Sequence, residues 1–145
     1  MKASEFEKQF SAMTGFASNE YHPLVWINGK PEIGADTYIG GFSEIYAIGA
    51  KLIIGEKCDI ASFVAINVAD SHKRSIGISK EIDVNDIMIG NKVFIGSHSV
   101  ILGGSEIGDC SVVAAGTVVR AGNIPPFSLV IGNPAIVKAG YYEKK

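Results

Sequence analysis

Residues 87–119 read IMIGNKVFIGSHSVILGGSEIGDCSVVAAGTVV, and this stretch decides the fold because an isoleucine or valine returns at every sixth position. A period of six fits neither an isolated strand nor an α-helix. It is typical of a solenoid in which each hexad forms one flat face of a coil and the repeated aliphatic side chain points to the axis. The positions that keep this beat are Ile89, Ile95, Ile101, Ile107, Val113 and Val119.

The same beat extends upstream through seven isoleucines. These are Ile33, Ile39, Ile45, Ile48, Ile54, Ile60 and Ile66. In many hexads a glycine follows the beat residue, which allows the backbone to turn or to approach a neighbouring coil closely. Four residues after the beat, small or β-branched side chains are predicted to fill an inward corner, namely Val93, Ser99, Ser105, Ser111 and Thr117.

The beat is broken twice. The step from Ile45 to Ile48 is only three residues, which predicts three extra residues in one corner, around Tyr46–Ala47. Residues 67–86, NVADSHKRSIGISKEIDVND, carry no beat and are polar and charged. They are predicted to form a loop extruded from one coil, and loops that interrupt a rigid repeat commonly carry function.

The two ends lie outside the repeat. In residues 1–26, Phe6, Phe10 and Met13 recur at helical spacing and predict a short amphipathic helix that caps the solenoid, with a frayed arm as the alternative. Residues 27–124 are assigned to the solenoid. Two prolines after Ile124 are expected to close the sheet faces, and residues 125–145 to fold back as a short strand or helix.

Composition narrows the class of protein. A chain of 145 residues predicts one domain, and 47% hydrophobic residues predict burial between subunits. The sequence contains no apolar run near the roughly 20 residues that span a bilayer. A net charge of −2 gives no reason to expect nucleic acid. An acidic N-terminus and two cysteines without metal-like spacing, Cys58 and Cys110, favour a cytoplasmic protein with reduced thiols.

Three histidines are the candidates for chemistry. His72 lies in the extruded loop near Asp70, where an imidazole is a natural general base, although a solvated loop histidine is the alternative. His98 is expected to have a structural or surface role, and His22 has no partner in the sequence. Because these histidines are far apart, no metal site is expected. Nucleophile-elbow and phosphate-loop motifs are absent from the sequence.

Taken in order, the hexads, the loop with Asp70-Ser71-His72, and the runs IGDCSVVAAGTVV and IPPFSLVIGNPA resemble the hexapeptide-repeat acyltransferases. The C-terminal half is similar to galactoside and maltose O-acetyltransferases and to sugar acetyltransferases of polysaccharide assembly. The resemblance covers residues 27–138. It implies an all-β fold, a left-handed parallel β-helix of triangular section, with a short N-terminal helix and an extruded loop. It also implies a homotrimer with active sites between subunits and acetyl-CoA as co-substrate.

The resemblance implies a role for several individual residues. His72 matches the family's general base, which takes a proton from the acceptor hydroxyl or amine as it attacks the thioester directly. Ser97 matches a wall serine that faces the pantetheine arm, and Ala115 matches a position whose backbone amide meets a pantetheine carbonyl. Gly116 and Thr117 lie alongside. The cations that correspond to those near the CoA phosphates are Arg120 and Lys138.

The acceptor is less sharply indicated. Glu44, Tyr46, Asn67 and Asp70 are the polar residues that could hold a sugar, and each could equally be a wall residue. A sugar hydroxyl or amine, in a polysaccharide or nucleotide sugar, is the leading acceptor. A non-sugar acceptor such as serine or an antibiotic is the alternative within enzymes. A non-catalytic β-helix scaffold is the alternative outside them, and a metal-dependent hydratase is disfavoured because the sequence has no histidine cluster.

Overall fold

The computed structural model describes residues 3–21 and 24–144, and in them the chain is a solenoid built almost entirely of short strands. The elements are α1 Ala3–Thr14, β1 Trp26–Gly29, β2 Glu32–Ile33, β3 Tyr38–Ile39, β4 Glu44–Ala47, β5 Leu52–Ile54, β6 Asp59–Ile60, β7 Ala65–Asn67, β8 Ala69–Asp70, α2 His72–Ser75, β9 Asp83–Val84, β10 Ile87–Ile89, β11 Phe94–Ile95, β12 Val100–Leu102, β13 Ser105–Ile107, β14 Val112–Val113, β15 Val118–Val119, β16 Gly122–Ile124, β17 Leu129–Gly132 and β18 Ala135–Lys138. Among the described residues, neither helix is long and apolar enough to cross a bilayer.

The strands form three parallel sheets that run along the solenoid as its three faces. The first face is β1-β4-β7-β12-β15, the second is β2-β5-β10-β13-β16, and the third is β3-β6-β11-β14-β17. In the regular coils Trp26 pairs with Glu44 and Val100 with Val118, eighteen residues further along the chain. Each coil is therefore three hexads, as the six-residue beat predicts, and the prediction of a parallel β-helix with one short N-terminal helix is confirmed.

The beat residues form the core. Those that are almost completely buried are Ile39, Ile45, Ile54, Ile60, Ile66, Ile89, Ile95, Ile101, Ile107, Val113 and Val119. Ile33, in the first coil, is half-buried. Removing these aliphatic side chains from water is the main favourable term in the stability of the coil.

The inward corner is also as predicted. Ser99, Ser105, Ser111 and Thr117 are fully buried. Their hydroxyls donate to backbone carbonyls of the fold, for example Ser99 Oγ to Ala114 O at 3.0 Å. A buried hydroxyl without a partner would be costly, so these bonds explain why polar residues are tolerated beside the core.

Glycine after the beat residue reflects close contact between coils. A Cβ built on Gly40 would lie 2.6 Å from the backbone nitrogen of Ser62 in the next coil. Such a distance is too short for any real side chain, so the neighbouring coil would have to shift. The structure thus supports close approach as the reason for the Ile-Gly pairing in this hexad.

The first break in the beat lies directly after the predicted position. Tyr46 and Ala47 belong to β4, and the extra residues are Ile48, Gly49 and Ala50, which form a bend between β4 and β5. Ile48 is 50% exposed, so the prediction that it belongs to the core is wrong. The physical reason is that the three residues bulge outward, and Ile54 is the next isoleucine on the axis.

At the N-terminal end, α1 confirms the predicted helix. Phe10 stacks between Phe6 and Phe16, and Phe16 stacks on Trp26 of β1 with ring centroids 5.6 Å apart. Met13, however, is 86% exposed and does not share this contact. The attachment of the helix to the first coil is therefore aromatic, through Phe16, rather than a stripe that includes Met13.

At the C-terminal end the pairing continues past the two prolines. Strand β17 pairs in parallel with β14 on the third face, so Pro125 and Pro126 do not close that face as the sequence suggested. Strand β18 then folds back antiparallel on β17, with Leu129 opposite Lys138. The return of the tail as a strand is confirmed.

Candidate active site

The extruded loop leaves the corner between the first and second faces and has its own secondary structure. Strands β8 and β9 pair antiparallel at its base, with Asp70 opposite Asp83. Helix α2 follows β8 directly, and its first residue is His72. The loop is tied back to the coil where the backbone N–H of Asn85 donates to Val68 O at 3.0 Å. His72 is thus held a few residues from a fixed hairpin base.

His72 forms a dyad with Asp70. The imidazole Nδ1 lies 2.7 Å from Asp70 Oδ1, and the backbone N–H of His72 donates to the same oxygen at 3.0 Å. A carboxylate can only accept, so Nδ1 carries the proton in this bond. The lone pair of the neutral ring is then on Nε2, and because the His72 side chain is 56% exposed, an acceptor molecule can reach it.

The electrostatics agree with an ionised Asp70. The backbone N–H of His72 and then its imidazole hold the pKa of the Asp70 carboxyl below its ordinary value. Both bonds favour the charged form, since they are made to the carboxylate. The residue that was predicted to hold a sugar is therefore engaged with the histidine.

A second ion pair closes the loop. Lys73 Nζ lies 2.7 Å from Asp83 Oδ2, and the two side chains are about two-fifths exposed. This contact raises the pKa of Lys73 through the hydrogen bond to Asp83 and the attraction of its charge. The pair links α2, which begins at His72, to β9.

The other predicted acceptor residues lie together on the outside of the first face. Tyr46 pairs in register with Asn67, and Glu44 accepts a hydrogen bond from Asn28 Nδ2 at 3.0 Å. Asn67 Oδ1 accepts from the N–H of Ala69, where the loop begins. The structure therefore places Glu44, Tyr46 and Asn67 on one strip of wall that leads to the loop.

The predicted donor residues lie at the opposite edge of the first face, in the corner where it meets the third face. Gly116 N–H donates to Ser97 O at 2.9 Å, which brings Ser97 next to Ala115 and Gly116. Ala115 and Gly116 are exposed and Ser97 is half-buried. Thr117 is fully buried, and its Oγ1 accepts from Gly132 N–H at 3.1 Å, so its side chain serves the fold and is not presented to a ligand.

The two predicted cations are separate. Arg120 follows β15 at the C-terminal end of the first face and lies at the edge of a surface cavity of about 240 Å³. Lys138 ends β18 on the third face, with its Nζ 5.9 Å from the ring centroid of Tyr141. The two cations therefore lie at the ends of strands on different faces of the solenoid.

Sequence reasoning missed an aromatic stack in the corner that holds Ser97. Phe42 stacks on Phe63 with centroids 5.1 Å apart, and Phe63 stacks on His98 at 5.0 Å. Each of these residues lies three positions after a beat isoleucine and has positive φ. That constant spacing was the available signal. The three side chains form a ladder along the outside of the solenoid.

The remaining candidates add little chemistry. His22 lies outside the described residues. Cys58 is buried, Cys110 is half-buried, and both are free thiols. Burial raises the pKa of the Cys58 thiol. Within residues 3–21 and 24–144, no group of three histidine, cysteine or acidic side chains could hold a metal ion.

The repeating strands and buried beat define the class of protein as a hexapeptide-repeat β-helix. In agreement, residues 86–121 match the family model described as "Bacterial transferase hexapeptide (six repeats)". The recognition of hexapeptide repeats from the sequence is confirmed.

Several proteins that are similar to this chain in sequence or structure are named as acetyltransferases. "Putative acetyltransferase SAR2635" of Staphylococcus aureus (strain MRSA252) is 39% identical over 75 residues, 52% of this chain and 36% of that one. The chain thus spans about a third of the length of the first curated relatives it matches. The crystal structure of NeuO, a polySia-specific acetyltransferase, is 30% identical with a TM-score of 0.65, and the match covers 74% of this chain and 51% of that one.

A longer structural match is to VCA0836, a hexapeptide-repeat-containing acetyltransferase from Vibrio cholerae O1 biovar eltor, solved with acetyl-CoA. It is 26% identical with a TM-score of 0.70, and covers 93% of this chain and 82% of that one.

Proposed function

We propose that this protein transfers an acetyl group from acetyl-CoA to a hydroxyl or amine of a sugar. The observation that carries the proposal is the His72–Asp70 dyad, at 2.7 Å on a loop anchored to a rigid wall. The similarity to NeuO, a polySia-specific acetyltransferase, and to VCA0836, an acetyltransferase solved in complex with acetyl-CoA, supports this donor and this acceptor class.

In this proposal His72 is the general base. Asp70 fixes the ring so that Nε2 faces outward with its lone pair available. Nε2 takes the proton of the acceptor hydroxyl or amine, and the acceptor oxygen or nitrogen attacks the acetyl carbonyl. The thiolate of CoA leaves, and the proton held by His72 returns to that sulfur. General base catalysis of this kind contributes about 10²- to 10⁴-fold to the rate.

The acetyl-CoA site is proposed at the corner formed by Ser97, Ala115 and Gly116. Gly116 leaves open space there, since a Cβ built on it would meet nothing within 4 Å. Ala115 and Gly116 expose their backbone to an incoming arm. Arg120 and Lys138 are proposed for the phosphates, and of the two Arg120 is nearer the first face.

The site is proposed to form between subunits of a homotrimer. In one chain the loop with His72 and the corner with Ser97 are at opposite edges of the first face. A face six residues wide spans roughly 15–20 Å at about 3.3 Å per residue. A threefold arrangement would bring the loop of one subunit to the Ser97 corner of the next, and closed cyclic symmetry is the usual form of homo-oligomers.

Glu44, Tyr46 and Asn67 are proposed as the wall that holds the acceptor, because their strip leads to the loop. Asp70 is proposed to position His72 instead. We also propose that the protein is cytoplasmic. Its proposed segments are an N-terminal cap of residues 1–26, a solenoid of residues 27–124 and a tail of residues 125–145. Serine or an antibiotic is the alternative acceptor.

Two measurements test the proposal. At 100 times its Kd, acetyl-CoA should stabilise the fold by about 2.7 kcal/mol, seen as a higher Tm. No stabilisation at saturating acetyl-CoA would contradict the transferase function and favour a scaffold. Release of CoA thiol is then screened with nucleotide sugars, amino sugars, free glycosides, serine and macrolides. Turnover only with the last two would reject the sugar acceptor.

A further inference from the structure

The outward-facing side chains of the first face are polar at its N-terminal end and apolar further on. Alternate residues of its strands point outward, because Ile45, Ile66 and Ile101 between them are buried. In register, the outward residues form two rows, which are Trp26, Glu44, Ala65, Val100 and Val118, and beside them Asn28, Tyr46, Asn67 and Leu102. Within these two rows Glu44 is the charged side chain.

Asn28 holds the carboxylate of Glu44 in place. Asn28 Nδ2 donates to Glu44 Oε1 at 3.0 Å, and both side chains are half-buried. An amide nitrogen only donates and a carboxylate oxygen only accepts, so this bond has one direction. Among the hydrogen bonds and ion pairs of the described residues, Oε2 of Glu44 takes part in none. Glu44 is therefore a positioned carboxylate with one oxygen left for a ligand.

The charges along this wall disfavour an anionic acceptor. Both ion pairs of the described residues lie on the loop, and Glu44 belongs to neither. Arg74 is the cation of α2 outside these pairs. It comes two residues after His72, and side chains at that separation on a helix do not face each other. A carboxylated or phosphorylated sugar that extends from His72 along the wall would therefore meet the like charge of Glu44.

The register of the strands shows how far Glu44 lies from the loop. Glu44 pairs with Ala65, and Asn67, where the loop begins, lies two residues further along that strand. A strand separation of about 4.8 Å and a rise of about 3.3 Å per residue put the Cα atoms of Glu44 and Asn67 roughly 8 Å apart. This distance is wider than one pyranose ring, and His72 lies further along the loop. An acceptor that reaches from Glu44 to His72 therefore contains more than one sugar ring.

We propose that Glu44 is a subsite for the ammonium group of an amino sugar, carried on a different ring of the acceptor from the ring that is acetylated, and that Asn28 is its positioning residue. The inference rests on the proposed function, which supplies the sugar acceptor and His72 as the base. An ammonium is a compact point charge that a single oxygen can hold, and Oε2 of Glu44 is free to accept from it. Tyr46 and Asn67 lie beside this path and offer polar groups to the sugar hydroxyls.

The test compares β-1,4-linked dimers of glucosamine, glucose and glucuronate, which carry ammonium, hydroxyl and carboxylate groups on the same backbone. For each dimer, kcat/KM is measured by release of CoA thiol at a pH below the pKa of the amine. We expect wild-type protein to prefer the glucosamine dimer over the glucose dimer by about 3- to 10-fold, the worth of a charged hydrogen bond at a half-exposed site. The glucuronate dimer should be the poorest acceptor. Added salt should narrow the preference, because it screens the charge of Glu44.

Three variants connect the preference to Glu44. Glu44→Gln keeps an acceptor for Asn28 and removes the charge, so the ratio of kcat/KM for the glucosamine and glucose dimers should fall close to one. Asn28→Ala should lower the same ratio in part, because the carboxylate keeps its charge and loses its support. Glu106→Gln is the matched control, since Glu106 is an exposed carboxylate on the second face, and its ratio should equal that of wild type. The Tm of each variant verifies that it is folded.

Two kinds of result would overturn the inference and leave the proposed function standing. One is a wild-type protein that uses the glucuronate dimer as well as the glucosamine dimer, or whose preference does not respond to salt, and neither result depends on a variant that folds. The other is a ratio that Glu44→Gln leaves unchanged. Wild-type protein that uses none of the dimers while acetyl-CoA raises its Tm would reject the subsite. Without that rise in Tm, the proposed function would be rejected as well.

Discussion

Gly49 lies against Val84. A Cβ built on Gly49 would come within 3.2 Å of Val84 Cγ1, and the Gly49 backbone has φ 96°. Gly49 belongs to the three-residue bend after β4, and Val84 belongs to β9 at the base of the loop that carries His72. The two breaks in the six-residue beat are therefore neighbours in space, at one corner. The bend therefore packs against the base of the loop.

This contact predicts the effect of Gly49→Ala. The substitution should destabilise the protein by about 1–3 kcal/mol, because it combines an unfavourable positive φ with crowding of Val84. Gly77→Ala is the matched control, since Gly77 has φ 79° and nothing within 4 Å of its Cβ. The measurement is Tm of both variants. If Gly77→Ala costs as much as Gly49→Ala, contact with Val84 contributes nothing.

Burial in the core predicts that alanine substitution of two isoleucines of the sequence repeat has different effects on the stability of the protein. Ile95 is fully buried, so Ile95→Ala should cost about 2–5 kcal/mol through lost transfer energy and a cavity. Ile48 is half exposed, and Ile48→Ala should cost little. Denaturant unfolding of the two variants measures the difference. Equal losses would show that Ile48 is buried by something in solution, such as a neighbouring subunit.

Asp70 predicts a pH effect with a definite sign. Because hydrogen bonds from His72 lower its pKa, the carboxylate stays ionised to lower pH than usual. The stability that the ionised carboxylate contributes is present above the pKa that Asp70 has in the unfolded chain. It is lost only as the pH falls through the lowered pKa of the folded state. Mild acidification should therefore leave the Asp70 carboxylate ionised, and any loss of activity through protonation of Asp70 is expected only below its ordinary pKa. The measurement is a pH profile of kcat.

Asp70→Asn should lower kcat by roughly 10- to 100-fold, as expected for a misplaced catalytic group. KM for acetyl-CoA should not change. Asp83→Asn, which breaks only the Lys73 pair on the same loop, is the control. A kcat of Asp70→Asn within a few-fold of wild type would argue against the dyad.

Sequence alone predicted the coil well because its signal is periodic. The eighteen-residue pairing of Trp26 with Glu44 follows directly from three hexads. The prediction that Ile48 is a core residue failed, because the sequence does not distinguish an isoleucine in a bulge from one that points to the axis of the coil. The continuation of the third face past Pro125 was missed because proline removes a donor without removing its neighbours' bonds.

The site was predictable in part. The gap in the beat located His72, but the spacing of Asp70 two residues earlier did not say whether its carboxylate serves a ligand or the imidazole. The structure decides between these two roles, because Asp70 Oδ1 lies 2.7 Å from His72 Nδ1. The ladder of Phe42, Phe63 and His98 escaped notice because its members are 21 and 35 residues apart, across the bend and the loop.

Oligomeric state gives a further prediction. Equilibrium sedimentation should give the mass of three chains of 15.4 kDa each. If sites are shared, mixing His72→Ala with Gly116→Phe should restore activity, because some interfaces then pair an intact loop with an intact corner. A monomeric mass, or mixed subunits without activity, would contradict a site between subunits.

The most direct test of the account is kcat and acetyl-CoA affinity of His72→Ala, with Lys73→Ala as the neighbouring control. The account predicts a kcat about 10²- to 10⁴-fold lower for His72→Ala, with Kd for acetyl-CoA unchanged and the control close to wild type. Retention of kcat within a few-fold of wild type would contradict the assignment of His72 as the base.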